Sequence, residues 1–193
     1  DVLDYGAGNS PWQESLIYQN YKRADVQQNL KENIDYIVLK KTPLPVLDET
    51  FDSILLMDVL EHIEDFEFVL SDLYRMLKKG GRLFISVPFL YREHETPNDY
   101  YRFTSYGVRK ILKQKHFSVT LCKKIGNHLL TIYSLWNEAM IKKNEKFNGS
   151  LLSKIIRKLI LFLILPLLNL TIFKNPPKKD DSVFHHLFLV AKK

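Results

Sequence analysis

Cysteine is almost missing from this chain. Cys122 is the only one in 193 residues, so no internal disulfide can form. A lone thiol within a strand reads as an inert core group and suits a reducing, cytoplasmic compartment. Glycine is also scarce, with seven residues. A dinucleotide fingerprint would need a third glycine after Gly6 and Gly8, but Pro11 stands in that place, which speaks against NAD or FAD. No internal repeat and no low-complexity linker is present. No secretory leader is expected at Asp1, because the first residues already read as a core strand. No initiator Met and no element stands ahead of that strand. An N-terminal part of the site is therefore expected to precede Asp1.

What is there fits one domain long enough to bury a core, on the order of 70% of the unfolded surface. The net charge is +6. Residues 1–150 hold 20 basic and 20 acidic side chains, so the whole excess lies in residues 151–193. A basic segment suits nucleic acid or an anionic membrane surface, and what lies between its charges decides which.

Strand and helix patterns alternate along the chain. Strands are expected at Val2–Tyr5, Lys22–Val26, Ile34–Leu39, Asp52–Met57, Arg82–Val87, Ser118–Ile125 and Ser182–Ala191. Helices are expected from Pro11 to Tyr18, over Phe66–Lys78 up to Gly80-Gly81, over Tyr106–Lys115 behind a Thr104 cap, and over His128–Lys143. Such alternation implies a mostly parallel sheet with ligands at the carboxyl ends of its strands.

The first such end is "DYGAGNSP". Gly6 and Gly8 allow a sharp turn and close approach of a ligand. Asp25 closes the second strand, 17 residues after Gly8, where a carboxylate can accept both hydroxyls of a ribose. Two further segments, "LPVLDETFDSILLMDVLEHIED" (44–65) and "LYRMLKKGGRLFISVPF" (73–89), follow in order. With the opening turn they closely resemble the class I S-adenosylmethionine-dependent methyltransferases, over nearly the whole chain.

That resemblance implies a Rossmann-like α/β fold. Its mostly parallel seven-stranded sheet has helices on both faces, and its antiparallel last strand is inserted between the fifth and sixth. It implies S-adenosylmethionine as cofactor. Asp4, Gly6 and Gly8, with Ala7 between them, match the first cofactor motif. Asp25, with Val26 beside it, matches the ribose-holding acid. Asp58 and Val59 match the loop beside the methyl donor. One departure stands out: Lys40 occupies a place where similar proteins often carry an acid for the adenine amino group. The adenine contact then falls to backbone groups, those of Leu39 and Lys41 included, and to apolar walls. A Glu-His pair such as Glu61-His62 is either catalytic or, more commonly, a local organiser of its loop.

The loop "PFLYREHETPNDYYRFTSYG" (88–107) is dense in aromatic and ionisable groups. It resembles an H-E-x-P-x-D-Y-x-R-x-T loop of bacterial methyltransferases of surface-glycan biosynthesis. For a hydroxyl acceptor, His94 is the first candidate base. Asp99 is a second base or the group that orients His94. Arg102 either meets an anionic substrate or locks Asp99 in a bidentate bridge. Tyr91, Tyr100, Tyr101 and Phe103 are expected to wall the acceptor. The alternative is a structural network that only fixes the loop. No metal is expected, since the spacing of His94, Glu95 and Asp99 is no recognised metal signature. His116, His128, His185 and His186 read as surface or strand residues.

Residues 151–173 are apolar with Lys154, Arg157 and Lys158 at the start, and Pro166 breaks the run. A spanning helix needs about 20 apolar residues, and a single crossing would keep the last strand from its sheet. Contact with the inner face of the cell membrane, packing against the core and homodimerisation stay open for this segment. Nucleic acid is disfavoured, because aliphatic rather than stacking aromatic residues flank the charges. The reading is a methyltransferase of a small-molecule, glycan or lipid-linked acceptor. The alternative is a non-catalytic relative that docks a partner or membrane through residues 151–173.

Overall fold

The computed structural model describes residues 1–126 and 183–193, with Thr131, Ser134 and Leu135 between them. The chain divides into two compact units, residues 1–125 with 186–193, and residues 126–185. In the second unit the three isolated residues are helical, and Ser134 Oγ lies 3.0 Å from His185 Nε2. The helix expected over 128–143 otherwise lies outside the described residues, as does the whole 151–173 segment. Among the described residues no helix is long and apolar enough to cross a membrane.

The first unit is built on seven strands: β1 (Val2–Tyr5), β2 (Tyr21–Asp25), β3 (Tyr36–Ile37), β4 (Phe51–Met57), β5 (Leu77–Pro88), β6 (Ser118–Ile125) and β7 (His186–Lys192). They form one sheet in the order β3-β2-β1-β4-β5-β7-β6. The pairs among β1 to β5 are parallel, and β7 runs antiparallel to both β5 and β6. This is the sheet that the family resemblance implied. Its central strands read as unbroken apolar runs because both faces are covered. Every residue of β1 is buried, and Ile54, Leu56, Leu83, Ile85 and Leu187 are wholly so.

Among the described residues, two α-helices accompany the sheet. Helix α1 (Phe66–Met76) starts at Asp65, whose carboxylate accepts from Phe68 N, and buries Val69, Leu70, Leu73 and Met76. On its buried side Asp72 accepts from Leu44 N at 3.0 Å and from Arg75, whose guanidinium also holds the carbonyls of Leu44 and Val46. The proline-bearing loop before β4 is thereby pinned to α1. Helix α2 (Ser105–Gln114) begins at the expected cap, where Thr104 accepts from Gly107 N at 3.0 Å.

Two expectations are corrected. Between Pro11 and Tyr18 the chain makes only a 3-10 turn, Gln13–Ser15, with no buried residue. Leu16, Ile17 and Tyr18 are exposed, and a helix without a face to bury has little to hold it. The other concerns Gly80-Gly81, which do not end α1. The helix stops at Met76, and the glycines lie inside β5. There the pairing slips between Phe51↔Leu77 and Ser53↔Arg82, Gly80 takes φ +78°, and its N–H donates to Lys193 O.

Candidate active site

The loops that follow β1, β2, β4 and β5 meet at the carboxyl edge of the parallel strands, where such sheets bind ligands. Two surface clefts at the other edge, one lined by Arg109, His116 and Phe117 and one by Asp52, Lys78 and Gly80, hold none of these loops.

The first half of the site is the turn after β1. Gly6 and Gly8 both adopt left-handed φ, +75° and +49°. The N–H groups of Gly6 and Ala7 donate to Ala24 O at 2.8 and 3.1 Å, which ties the turn to the end of β2. The two glycines differ in their surroundings. A Cβ on Gly6 would fall 2.3 Å from Val59 Cγ2, whereas one on Gly8 would meet nothing within 4 Å. The turn is therefore shut on the Val59 side and open beside Gly8. Asp25 accepts from Gly8 N through Oδ2 and from Val26 N through Oδ1, each at 2.7 Å. Each oxygen keeps a lone pair for a further donor.

Asp4 faces elsewhere. It is buried, accepts from Tyr21 OH at 2.6 Å, and burial pushes its carboxyl above the usual carboxylate range. Val26 and Leu39, 70% and 60% exposed, stand beyond the ends of β2 and β3. Lys40, in the place where similar proteins often carry an acid, forms an ion pair with Glu64. The carbonyl of Leu39 accepts from Thr42 N, so that group serves the local turn.

The second half lies after β4 and β5. Asp58 takes φ +55°; its N–H donates to Ser86 O at 3.0 Å and its Oδ1 accepts from Ser86 Oγ at 2.8 Å. His186, read from sequence as an ordinary strand residue, brings Nε2 to 3.5 Å of the same oxygen. On the loop after β5, Arg102 grips Asp99 with two bonds of 2.6 and 2.7 Å and also donates to the carbonyls of Tyr91, Arg92 and Tyr101. The guanidinium holds the Asp99 carboxyl well below the usual carboxylate range. That pairing weakens Asp99 as a base. Asp99 also meets His94, accepting from His94 N at 2.9 Å and standing 3.3 Å from its Nδ1.

His94 Nε2 lies 3.0 Å from His62 Nε2, and Glu61 Oε1 lies 3.8 and 3.9 Å from the two nitrogens. Glu61 is 0% exposed, and neither carboxylate oxygen has a hydrogen-bond partner. Burial pushes its carboxyl up to about 8. Sequence reasoning left this grouping unseen, although a signal existed. Glu61-His62 follows β4 and His94 follows β5, and adjacent parallel strands deliver their following loops to one place. Glu95, by contrast, is exposed at the rim. The expected acceptor wall divides in two. Tyr91 packs edge-on against His94, and Tyr100 is exposed. Tyr101 and Phe103 pack on Phe66, with Phe103 6% exposed, and so anchor the loop.

Residues 4–85 match the family model described as a methyltransferase domain. The ubiquinone/menaquinone biosynthesis C-methyltransferase UbiE of Pseudoalteromonas translucida is 37% identical over 76 residues, which cover 39% of this chain and 30% of that protein. UbiE of Rickettsia typhi is 30% identical over 92 residues, 48% of this chain and 37% of that one. The matched stretches thus span about a third of the length of these curated relatives. Among solved structures, the 4+2 cyclase SpnF aligns with all of this chain and 74% of its own, at a TM-score of 0.62 and 14% identity. Haemonchus contortus phosphoethanolamine N-methyltransferase 2, in complex with S-adenosyl-L-methionine, aligns with all of this chain and 48% of its own, at 0.59 and 17%. This chain has the Rossmann-like fold of the S-adenosylmethionine-dependent methyltransferases, and its residues 4–85 carry the signature of a methyltransferase domain.

Proposed function

We propose that this protein is an S-adenosylmethionine-dependent methyltransferase that methylates a hydroxyl of a small acceptor of the glycan or lipid-linked kind. The observation that carries the reading is the turn of Gly6, Ala7 and Gly8 held open beside the carboxylate of Asp25, inside the segment that matches the methyltransferase domain. The free lone pairs of Asp25 take the ribose hydroxyls, and the exposed side chains of Val26 and Leu39 flank the adenine. The methionine end lies toward Asp58 and Val59. Asp4 supports this cradle from within the sheet through Tyr21.

The donor carries an activated methyl group, so the protein's task is alignment and exclusion of water. The acceptor oxygen attacks the methyl carbon, and the electron pair of the breaking C–S bond stays on sulfur. The hydroxyl proton passes to the imidazole–carboxylate cluster around His94, and from there to solvent. Asp99 and Arg102 hold His94 in place. Tyr91 and Tyr100 border the acceptor, while Tyr101 and Phe103 fix the loop beneath it. The apolar, basic stretch 151–173 supports a lipid-linked acceptor met at an anionic membrane surface. A second reading follows from the UbiE relatives, C-methyltransferases of ubiquinone/menaquinone biosynthesis: methyl transfer to a carbon of a quinone precursor. Product analysis separates O-methyl from C-methyl.

The test is calorimetric titration with S-adenosylmethionine and S-adenosylhomocysteine, with NAD as control. Micromolar binding is expected, and Asp25→Ala should weaken it about 10- to 100-fold, as loss of charge-assisted hydrogen bonds predicts. Failure of a folded protein to bind either compound would replace this reading with that of a non-catalytic docking subunit.

A further inference from the structure

We propose that Glu61, His62 and His94 form a binding site for a divalent transition-metal ion, with zinc the ion their donor set suits best. The nearest atoms of the three side chains, His62 Nε2, His94 Nε2 and Glu61 Oε1, make a triangle with sides of 3.0, 3.8 and 3.9 Å. The point equidistant from its corners lies about 2.1 Å from each, within the range of zinc–nitrogen and zinc–carboxylate bonds.

The hydrogen bonding of the rings leads to the same place. His62 Nδ1 lies 2.7 Å from Asn98 O, which can only accept, so Nδ1 carries the proton and Nε2 is bare. His94 Nδ1 faces Arg92 O and Asp99 Oδ2, each at 3.3 Å, and both are acceptors, so in the neutral ring its Nε2 is bare as well. Two bare lone pairs 3.0 Å apart repel each other unless a cation, a metal ion or a shared proton, lies between them. Imidazoles that ligate metals are commonly arranged this way, with the distal N–H donated to a carbonyl or carboxylate. Glu61 adds the independent sign. It is fully buried, its carboxylate has no partner, and its oxygen is turned toward the same two nitrogens. Burial of an ionised carboxylate is costly unless a cation compensates it.

Two imidazoles and one carboxylate leave further positions of the ion open, as in catalytic rather than structural zinc sites. Existence of the site assumes nothing about the reaction. That an open position receives the acceptor hydroxyl rests on the methyltransferase reading. With an ion held by both Nε2 atoms, the ion would replace His94 as the group that activates the hydroxyl: it would lower the hydroxyl's pKa, and the proton would leave to solvent before the oxygen attacks the methyl carbon.

The test uses the whole chain, stripped with a chelator and dialysed, in the absence of any methyl donor. Titration with zinc chloride should show one equivalent per chain at micromolar affinity or tighter. Cobalt(II) in its place should give the visible absorption of a four- or five-coordinate ion. Glu61→Gln and His94→Ala should each weaken zinc at least 30-fold. His94 sits on a surface loop, so His94→Ala keeps the test valid if Glu61→Gln does not fold. Absence of stoichiometric zinc from the wild-type protein overturns the proposal, and so does equal affinity in wild type and His94→Ala. A chain that binds zinc but no S-adenosylmethionine overturns only the methyltransferase reading.

Discussion

Gly6 and Val59 show how closely two loops of the site depend on each other. A methyl group at Gly6 would collide with Val59 at 2.3 Å and would also have to adopt φ +75°. Gly6→Ala should therefore cost about 3 kcal/mol, from overpacking and a left-handed backbone together. Adding Val59→Ala should recover about half of that loss, because it removes the collision and leaves the backbone strain. Thermal denaturation of the two single variants and the double variant measures the coupling. Asp25 and the glycines were legible from sequence, since a turn and the acid of the next strand lie near each other in the chain. Glu61 and His94 were not, because 32 residues and a strand pairing separate His62 from His94. Nor could the aromatics be sorted. "DYYRF" gives no sign that Tyr100 is open to solvent while Phe103 is buried against Phe66.

At the level of elements, the loop after β5 is held by Arg102, which ties one carboxylate and three carbonyls together. Lysine keeps the charge but cannot form the planar two-pronged grip on Asp99. Arg102→Lys should therefore speed amide hydrogen exchange across residues 89–104 and lower kcat at least 30-fold. Affinity for S-adenosylmethionine should stay within about twofold. An equal loss of cofactor affinity would show that the loop is not a separate module. Strands and capped helices were read well where burial sets the pattern, as in β4 and in α2 behind Thr104. The expected helix at Pro11–Tyr18 did not form, because its apolar residues have nothing to pack against. Strand β3 is shorter than its pattern: "IDYIVL" is apolar enough for a strand, but only Tyr36 and Ile37 pair with β2.

On the scale of the whole molecule, the methyltransferase match ends at residue 85, just before the loop after β5 begins. The shared signature thus covers the turn after β1, Asp25 and the loop after β4, and leaves out the loop that carries His94, Asp99 and Arg102. Charge is divided in a similar way, with the whole excess of six in residues 151–193. If that segment meets a membrane, the protein should float with vesicles containing anionic lipid, and not with neutral ones. Release by several hundred millimolar salt should be partial, since apolar burial outlasts screening. Binding to neither kind of vesicle would turn attention to a second copy of the chain. The sheet order carries one more consequence, for the timing of synthesis. Strand β6 reaches β5 only through β7, and residues 126–185 separate β6 from β7 in the chain. When residues through Ile125 have emerged from the ribosome, β6 still lacks the strand that joins it to β5. Assembly waits until the residues up to Lys192 have left the exit tunnel, and until then the edge of β5 is exposed to any other strand that comes near.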